Sequence, residues 1–190
     1  SSIDTWGLVF YRGIIPFFAV FFGMLLIYRL NFFKILMMSG IHGIIYVITF
    51  SITNITFVVS IQNTNVANTL VMIATAPMLS AILGGIFLKE PPDKKTLISI
   101  IITFLSVIYI FFDSLKLGNF YGDILGFITA IGLAVGAVTI RSAKSKNLVP
   151  AAVIGKLIVA SFALLFVKNF ALVNQDIIIV PLMCILCVAI

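Results

Sequence analysis

The sequence predicts an all-α membrane protein. Of its 190 residues, 62% are hydrophobic and 9% are charged, whereas soluble domains average about 45–50% and about 25%. The mean hydropathy is +1.27, and a water-soluble fold of this size could not bury that much apolar surface. This composition excludes a soluble enzyme, a nucleic-acid-binding domain and a disordered tail.

Seven apolar segments reach, or nearly reach, the roughly 20 helical residues that cross a bilayer core about 30 Å thick. The segments between them are short and hold most of the charge. The Pro91-Pro92 pair separates the third from the fourth, because two prolines cannot continue a helix. The predicted spans are residues 6–28, 35–61, 66–88, 96–112, 120–140, 149–167 and 177–190.

The connecting segments carry unequal charge on the two faces of the membrane. The segments 29–34, 89–95 and 141–148 hold eight Lys and Arg residues, whereas the segments of the opposite face hold only Lys116 and Lys168. Basic residues collect in cytoplasmic loops, so we predict that the first three segments are cytoplasmic. The chain starts without Met and stops within its seventh span, so we expect a fragment of a longer protein.

Other classes of function lack support in the sequence. No basic run exceeds the Lys94-Lys95 pair, so we expect no nucleic-acid partner. His42 is the only histidine, and Cys184 and Cys187 form a lone pair that we interpret as packing residues. Motifs for a nucleophilic serine, a phosphate-binding loop or a dinucleotide are absent. We therefore expect no enzyme, no metal and no cofactor.

The first and sixth spans each contain one cation at a similar depth, Arg12 and Lys156. Five crossings separate them, so the two segments run in opposite directions, as in the inverted repeats of secondary transporters. A charge at membrane depth costs at least about 2.5–3.5 kcal/mol on insertion scales. Either these side chains extend to the nearer surface, or they face a water-filled cavity and attract an anionic or carboxylate-bearing substrate.

The second span contains seven polar residues at alternating intervals of three and four. This spacing places them on one face of a helix, which we call the polar stripe. Either the stripe packs against a neighbouring helix, with hydroxyls bonded to their own backbone, or it lines a polar path. The imidazole and phenol groups favour the path. The polar stripe comprises Ser39, His42, Tyr46, Thr49, Thr53, Thr56 and Ser60.

The third and fifth spans combine polar and small residues. In the third, Asn68 and Thr75 precede Pro77, which removes a backbone hydrogen bond and predicts a kink that could act as a hinge. In the fifth, Gly122 and Gly126 share one face, and small residues at this spacing let helices approach closely. We interpret the fifth span as a site of helix contact.

At these positions the chain resembles the EamA-type drug/metabolite transporters. Phe10-Tyr11-Arg12 begins a stretch similar to the family's arginine-bearing second helix. Residues 65–77, followed by residues 85–90, look like its fourth helix, with a central Ala-Pro and a terminal acidic residue, Glu90. Residues 122–126 look like the start of its second half.

The resemblance implies a parent of ten helices in two inverted halves, working by alternating access. Residues 1–118 would form most of the first half and residues 119–190 the start of the second. It also implies a bacterial inner-membrane location and a structural role for Glu90.

We therefore expect a secondary transporter, exporting a small metabolite, amino acid or drug-like solute. Its partners would be that solute and the lipid bilayer. Coupling to protons through His42, exchange and simple facilitation are all left open, as is a homodimer. The alternative is a non-transporting structural or assembly membrane protein, in which the polar stripe only joins helices. Pro77 would be the hinge. The residues expected to line the path are Arg12, His42, Tyr46, Thr49, Thr53, Asn68, Met72, Thr75 and Lys156.

Overall fold

The computed structural model describes residues 5–28, 32–117, 120–144 and 146–167. Every regular element in these ranges is a helix, which confirms the predicted all-α class. The helices are α1 (Thr5–Tyr28), α2 (Phe32–Asn63), α3 (Val66–Ile73), α4 (Ala76–Phe87), α5 (Lys94–Leu117), α6 (Phe120–Ala143) and α7 (Val149–Leu164).

Four stretches within the described residues are long and apolar enough to cross a membrane, and they match the first, second, third and fifth predicted spans. The chain is therefore a multi-pass membrane protein. The helix α7 is also apolar but has only 16 residues. The predicted span 177–190 lies outside the described residues. The four stretches are Trp6–Leu26, Lys34–Asn63, Val66–Phe87 and Phe120–Ala143.

Two of the predicted spans are not continuous helices. In α2, Gly40 has φ 56° and ψ −140°, a backbone conformation that side-chain-bearing residues rarely adopt. The third span is divided into α3 and α4 at Ala74 and Thr75. Pro77 lies in the first turn of α4, where its missing N–H costs nothing, so the break precedes the proline instead of coinciding with it.

The described residues form two compact units, and the first comprises those that fall within 1–51 and 145–190. In this unit α1 packs against α7. A Cβ on Gly13 would lie 2.7 Å from the backbone nitrogen of Ala160, so only glycine permits this approach. Near the start of α1, the Trp6 ring stacks on Phe166, with 4.8 Å between ring centroids.

The second unit contains residues 52–144. Here α6 packs against α3, α4 and α5. A Cβ on Gly126 would lie 3.1 Å from Ser60 Oγ, and one on Gly122 would lie 2.6 Å from Thr64 Cβ. These distances confirm that the glycine face of the fifth span is a surface of helix contact. The division at residue 118 into two repeat halves stays a prediction.

Candidate functional site

The polar stripe runs along α2, and its members differ in how their polar atoms are satisfied. At its C-terminal end, in the second unit, Ser60 is fully buried and its Oγ donates to the Gly122 carbonyl oxygen at 2.7 Å. The same hydroxyl bonds Thr69 Oγ1 at 2.9 Å. Thr56 Oγ1 bonds Thr129 Oγ1 of α6 at 2.8 Å. These two residues of the stripe therefore join helices.

At the N-terminal end of the stripe, in the first unit, hydroxyl groups bond to their own helix. Ser39 Oγ donates to the carbonyl oxygen three residues earlier, and Thr49 Oγ1 donates to the Ile45 carbonyl oxygen at 2.8 Å. Tyr46 is half-buried and its ring stacks on Phe50, 5.6 Å between centroids. Ser39 and Thr49 need neither water nor a neighbouring helix.

Two polar atoms in the middle of the stripe differ from the rest. His42 Nδ1 and Thr53 Oγ1 are both buried, and neither has a hydrogen-bond partner among the described residues. Leaving a buried donor or acceptor unsatisfied costs about 1–3 kcal/mol. A water molecule or a polar group of a solute would remove that cost at either atom. These two buried atoms are therefore candidates for a polar contact with something outside the chain.

The two cations at membrane depth belong to helices that touch in the first unit. Lys156 Nζ lies 5.0 Å from the centroid of the Phe50 ring, a cation–π distance. The Lys156 carbonyl oxygen lies 2.9 Å from the position of a Cβ on Gly13, the residue after Arg12. The backbone segments of Arg12 and Lys156 therefore lie close together, and the inverted repeat that would relate them stays a prediction.

The remaining residues expected near the path are held inside the second unit. Met72 and Thr75 are fully buried, and Thr75 Oγ1 donates to the Met72 carbonyl oxygen at 2.6 Å. Asn68 Nδ2 lies 3.4 Å from Asp123 Oδ2, and Thr64 Oγ1 donates to Asp123 Oδ1 at 2.5 Å. Their polar groups are engaged within the protein.

Asp123 is a fully buried carboxylate that the sequence analysis did not select. It lies in the first turn of α6, where the positive end of the helix dipole favours an anion. The signal available in the sequence was a lone acidic residue beside two glycines in an apolar segment. Its partners come from 55 and 59 residues away, which composition and spacing do not reveal.

The family model described as "EamA-like transporter family" matches residues 1–112. The chain belongs to this family. No curated protein and no solved structure matches the chain. As an EamA-like transporter, it is a membrane transporter of the drug/metabolite superfamily, whose members are transporters and not enzymes. Its family implies a small-molecule substrate and a lipid bilayer as partners.

In this EamA-like transporter, an ion pair links the ends of α4 and α6. The Arg141 guanidinium donates to the Glu90 carboxylate. Both side chains are more than half exposed, so the pair contributes about 0–1 kcal/mol. The sequence predicts that both residues are cytoplasmic. The ion pair places the two side chains next to each other, as expected if both lie on the same face of the membrane.

Proposed function

We propose that this EamA-like transporter is a secondary transporter that exports a small metabolite, amino acid or drug-like solute by alternating access. Family membership supports the class, and the composition supports the location in a bilayer. A bacterial inner membrane, with residues 29–34, 89–95 and 141–148 in the cytoplasm, is the proposed setting. The observation that carries the proposed path is the pair of unsatisfied buried atoms on α2, His42 Nδ1 and Thr53 Oγ1.

The solute path is proposed to involve the middle of the polar stripe rather than its whole length. Thr56 and Ser60 already bond neighbouring helices, so moving them would break those contacts. His42 Nδ1 and Thr53 Oγ1 have no such bond to lose within the part of the chain that the structure describes. Tyr46 and Thr49 lie between them in sequence and complete the proposed stretch.

Two further elements are proposed to serve transport. Arg12 and Lys156 would attract an anionic or carboxylate-bearing solute, because each is a cation at membrane depth. The break between α3 and α4 beside Pro77 would supply the hinge, because a helix interruption can absorb a change in backbone angles.

Proton coupling is proposed to occur at His42. An imidazole is the side chain best suited to gain and lose a proton between about pH 5 and 8. Its Nδ1 is buried without a partner among the described residues, so a proton carried there changes the contacts offered to a solute. Export would then be driven by the proton gradient.

The proposal is tested by solute flux in proteoliposomes. The full protein is reconstituted, and efflux of radiolabelled amino acids and of ethidium is followed as probes of two solute classes. We expect flux above that of protein-free liposomes for at least one probe, and a reduction of tenfold or more in Thr53→Val. Thr103→Val on α5 is the matched control, because that hydroxyl bonds its own backbone and is not in the stripe. Flux in Thr53→Val equal to that of Thr103→Val would contradict the proposed path.

A further inference from the structure

A groove of about 360 Å³ runs along the N-terminal half of α2 in the first unit. Its walls are almost entirely apolar. Ile44 and Ile48 are 57% and 54% exposed, so the groove is open at its side. The residues that form its length are Leu36, Gly40, Ile44, Val47, Ile48 and, from α7, Ile154.

Two glycines line the groove. Gly40 interrupts the helix with a positive φ, so α2 changes direction at this point. Gly43 has no side chain, and Ser39 Oγ occupies the space where its Cβ would be, 2.1 Å away. The groove therefore follows the change of direction at Gly40, and at Gly43 the Ser39 hydroxyl forms part of its wall.

A basic side chain lies beside the groove at Gly40. Lys146 Nζ is 3.9 Å from the position of a Cβ on Gly40. Lys146 is exposed and forms no salt bridge among the described residues. Lys34, six residues before Gly40, is also exposed. Both belong to segments that the sequence predicts to be cytoplasmic.

From this arrangement we infer that the groove binds one anionic phospholipid of the cytoplasmic leaflet. Residues 41–48, after the interruption at Gly40, extend over about 10 Å of helix, which fits within the depth of one leaflet of hydrocarbon, about 15 Å. An acyl chain would lie along Ile44, Val47 and Ile48, with the phosphate beside Lys146. Basic pockets beside membrane helices bind anionic headgroups in this way. The inference does not depend on the proposed transport path.

The test measures lipid binding to the purified protein by native mass spectrometry. Dioleoyl phosphatidylglycerol and dioleoyl phosphatidylcholine are added separately. We expect one phosphatidylglycerol to bind more tightly than phosphatidylcholine, and Lys146→Gln to weaken that binding about fivefold. Lys144→Gln removes the same charge two residues away and should change binding less than twofold. Lys146→Arg keeps the positive charge and should bind phosphatidylglycerol as the wild type does. This variant separates the loss of charge from misfolding.

A second pair of variants tests the apolar part of the groove. Ile48→Trp fills it and should reduce phosphatidylglycerol binding, whereas Ile52→Trp adds the same bulk at an exposed residue outside it. Equal effects of Lys144→Gln and Lys146→Gln, or equal binding of the two lipids, would overturn the inference. Displacement of the lipid by an equal concentration of glycerol 3-phosphate would also overturn it, because it would indicate a site for a soluble anion.

Discussion

Replacing Gly13 by alanine tests how closely α1 packs against α7. The new Cβ would lie 2.7 Å from the Ala160 nitrogen and 2.9 Å from the Lys156 carbonyl oxygen. Both are backbone atoms, so no side-chain rotation relieves the contact and the helices must separate. Overpacking of this kind costs about 1–3 kcal/mol. The higher helix propensity of alanine would stabilise the protein by up to about 1 kcal/mol, which partly offsets this cost.

Gly23→Ala in the same helix isolates the packing effect. A Cβ at residue 23 meets nothing within 4 Å, so the only expected change in this variant is the stabilisation from the higher helix propensity of alanine. The difference between the two variants is then the overpacking cost, roughly 2–12 °C in the midpoint of thermal unfolding. The midpoint is measured from the folded fraction that survives heating in detergent, by size-exclusion chromatography. A Gly13→Ala midpoint equal to or above that of Gly23→Ala would refute the close approach of α1 and α7.

Three further predictions address the polar groups. Asp123→Ala leaves the Thr64 hydroxyl without its acceptor and should lower the free energy of unfolding by about 1–3 kcal/mol, measured as a lower unfolding midpoint. Hydrogen bonds from the Thr96 side chain and backbone N–H hold the pKa of Asp93 below its ordinary value of 3.8. Its contribution to stability is therefore present above that value and lost as the pH falls through the lower pKa of the folded protein. The advantage in unfolding midpoint of the wild type over Asp93→Asn should shrink on acidification from about pH 5, and an advantage that grows would contradict this assignment. His42→Ala should abolish the pH dependence of transport in proteoliposomes, and an unchanged pH profile would exclude His42 as the coupling group.

Hydropathy was sufficient to predict the helical class and most span positions, because a bilayer demands long apolar helices whatever their neighbours are. It did not predict the interruption at Gly40. A glycine in an apolar segment is compatible with a regular helix, and its positive φ depends on the tertiary surroundings. Pro77 did predict a break in the third span. The position at which α3 ends is marked by Thr75, whose side chain and backbone N–H both donate to the Met72 carbonyl oxygen.

The polar stripe was recognisable from its spacing, but its roles were not. Thr56 and Thr53 look alike in the sequence, yet the Thr56 hydroxyl bonds a hydroxyl 73 residues away and the Thr53 hydroxyl has no partner among the described residues. Which hydroxyl finds a partner depends on helix packing, and local periodicity carries no information about that. For the same reason the sequence does not reveal the role of Asp123, since its hydrogen-bond donors Thr64 and Asn68 come from the turn after α2 and the start of α3.

Thiol labelling of single cysteines on α2 measures most directly whether the middle of the stripe faces water. In the full protein with Cys184 and Cys187 replaced by alanine, Thr53→Cys and Ser60→Cys are exposed in native membranes to a small aqueous maleimide. The proposed solute path predicts labelling at residue 53, because alternating access would open this buried position to water, and the two hydrogen bonds of Ser60 predict protection at residue 60. Protection at both residues would contradict a solute path along α2.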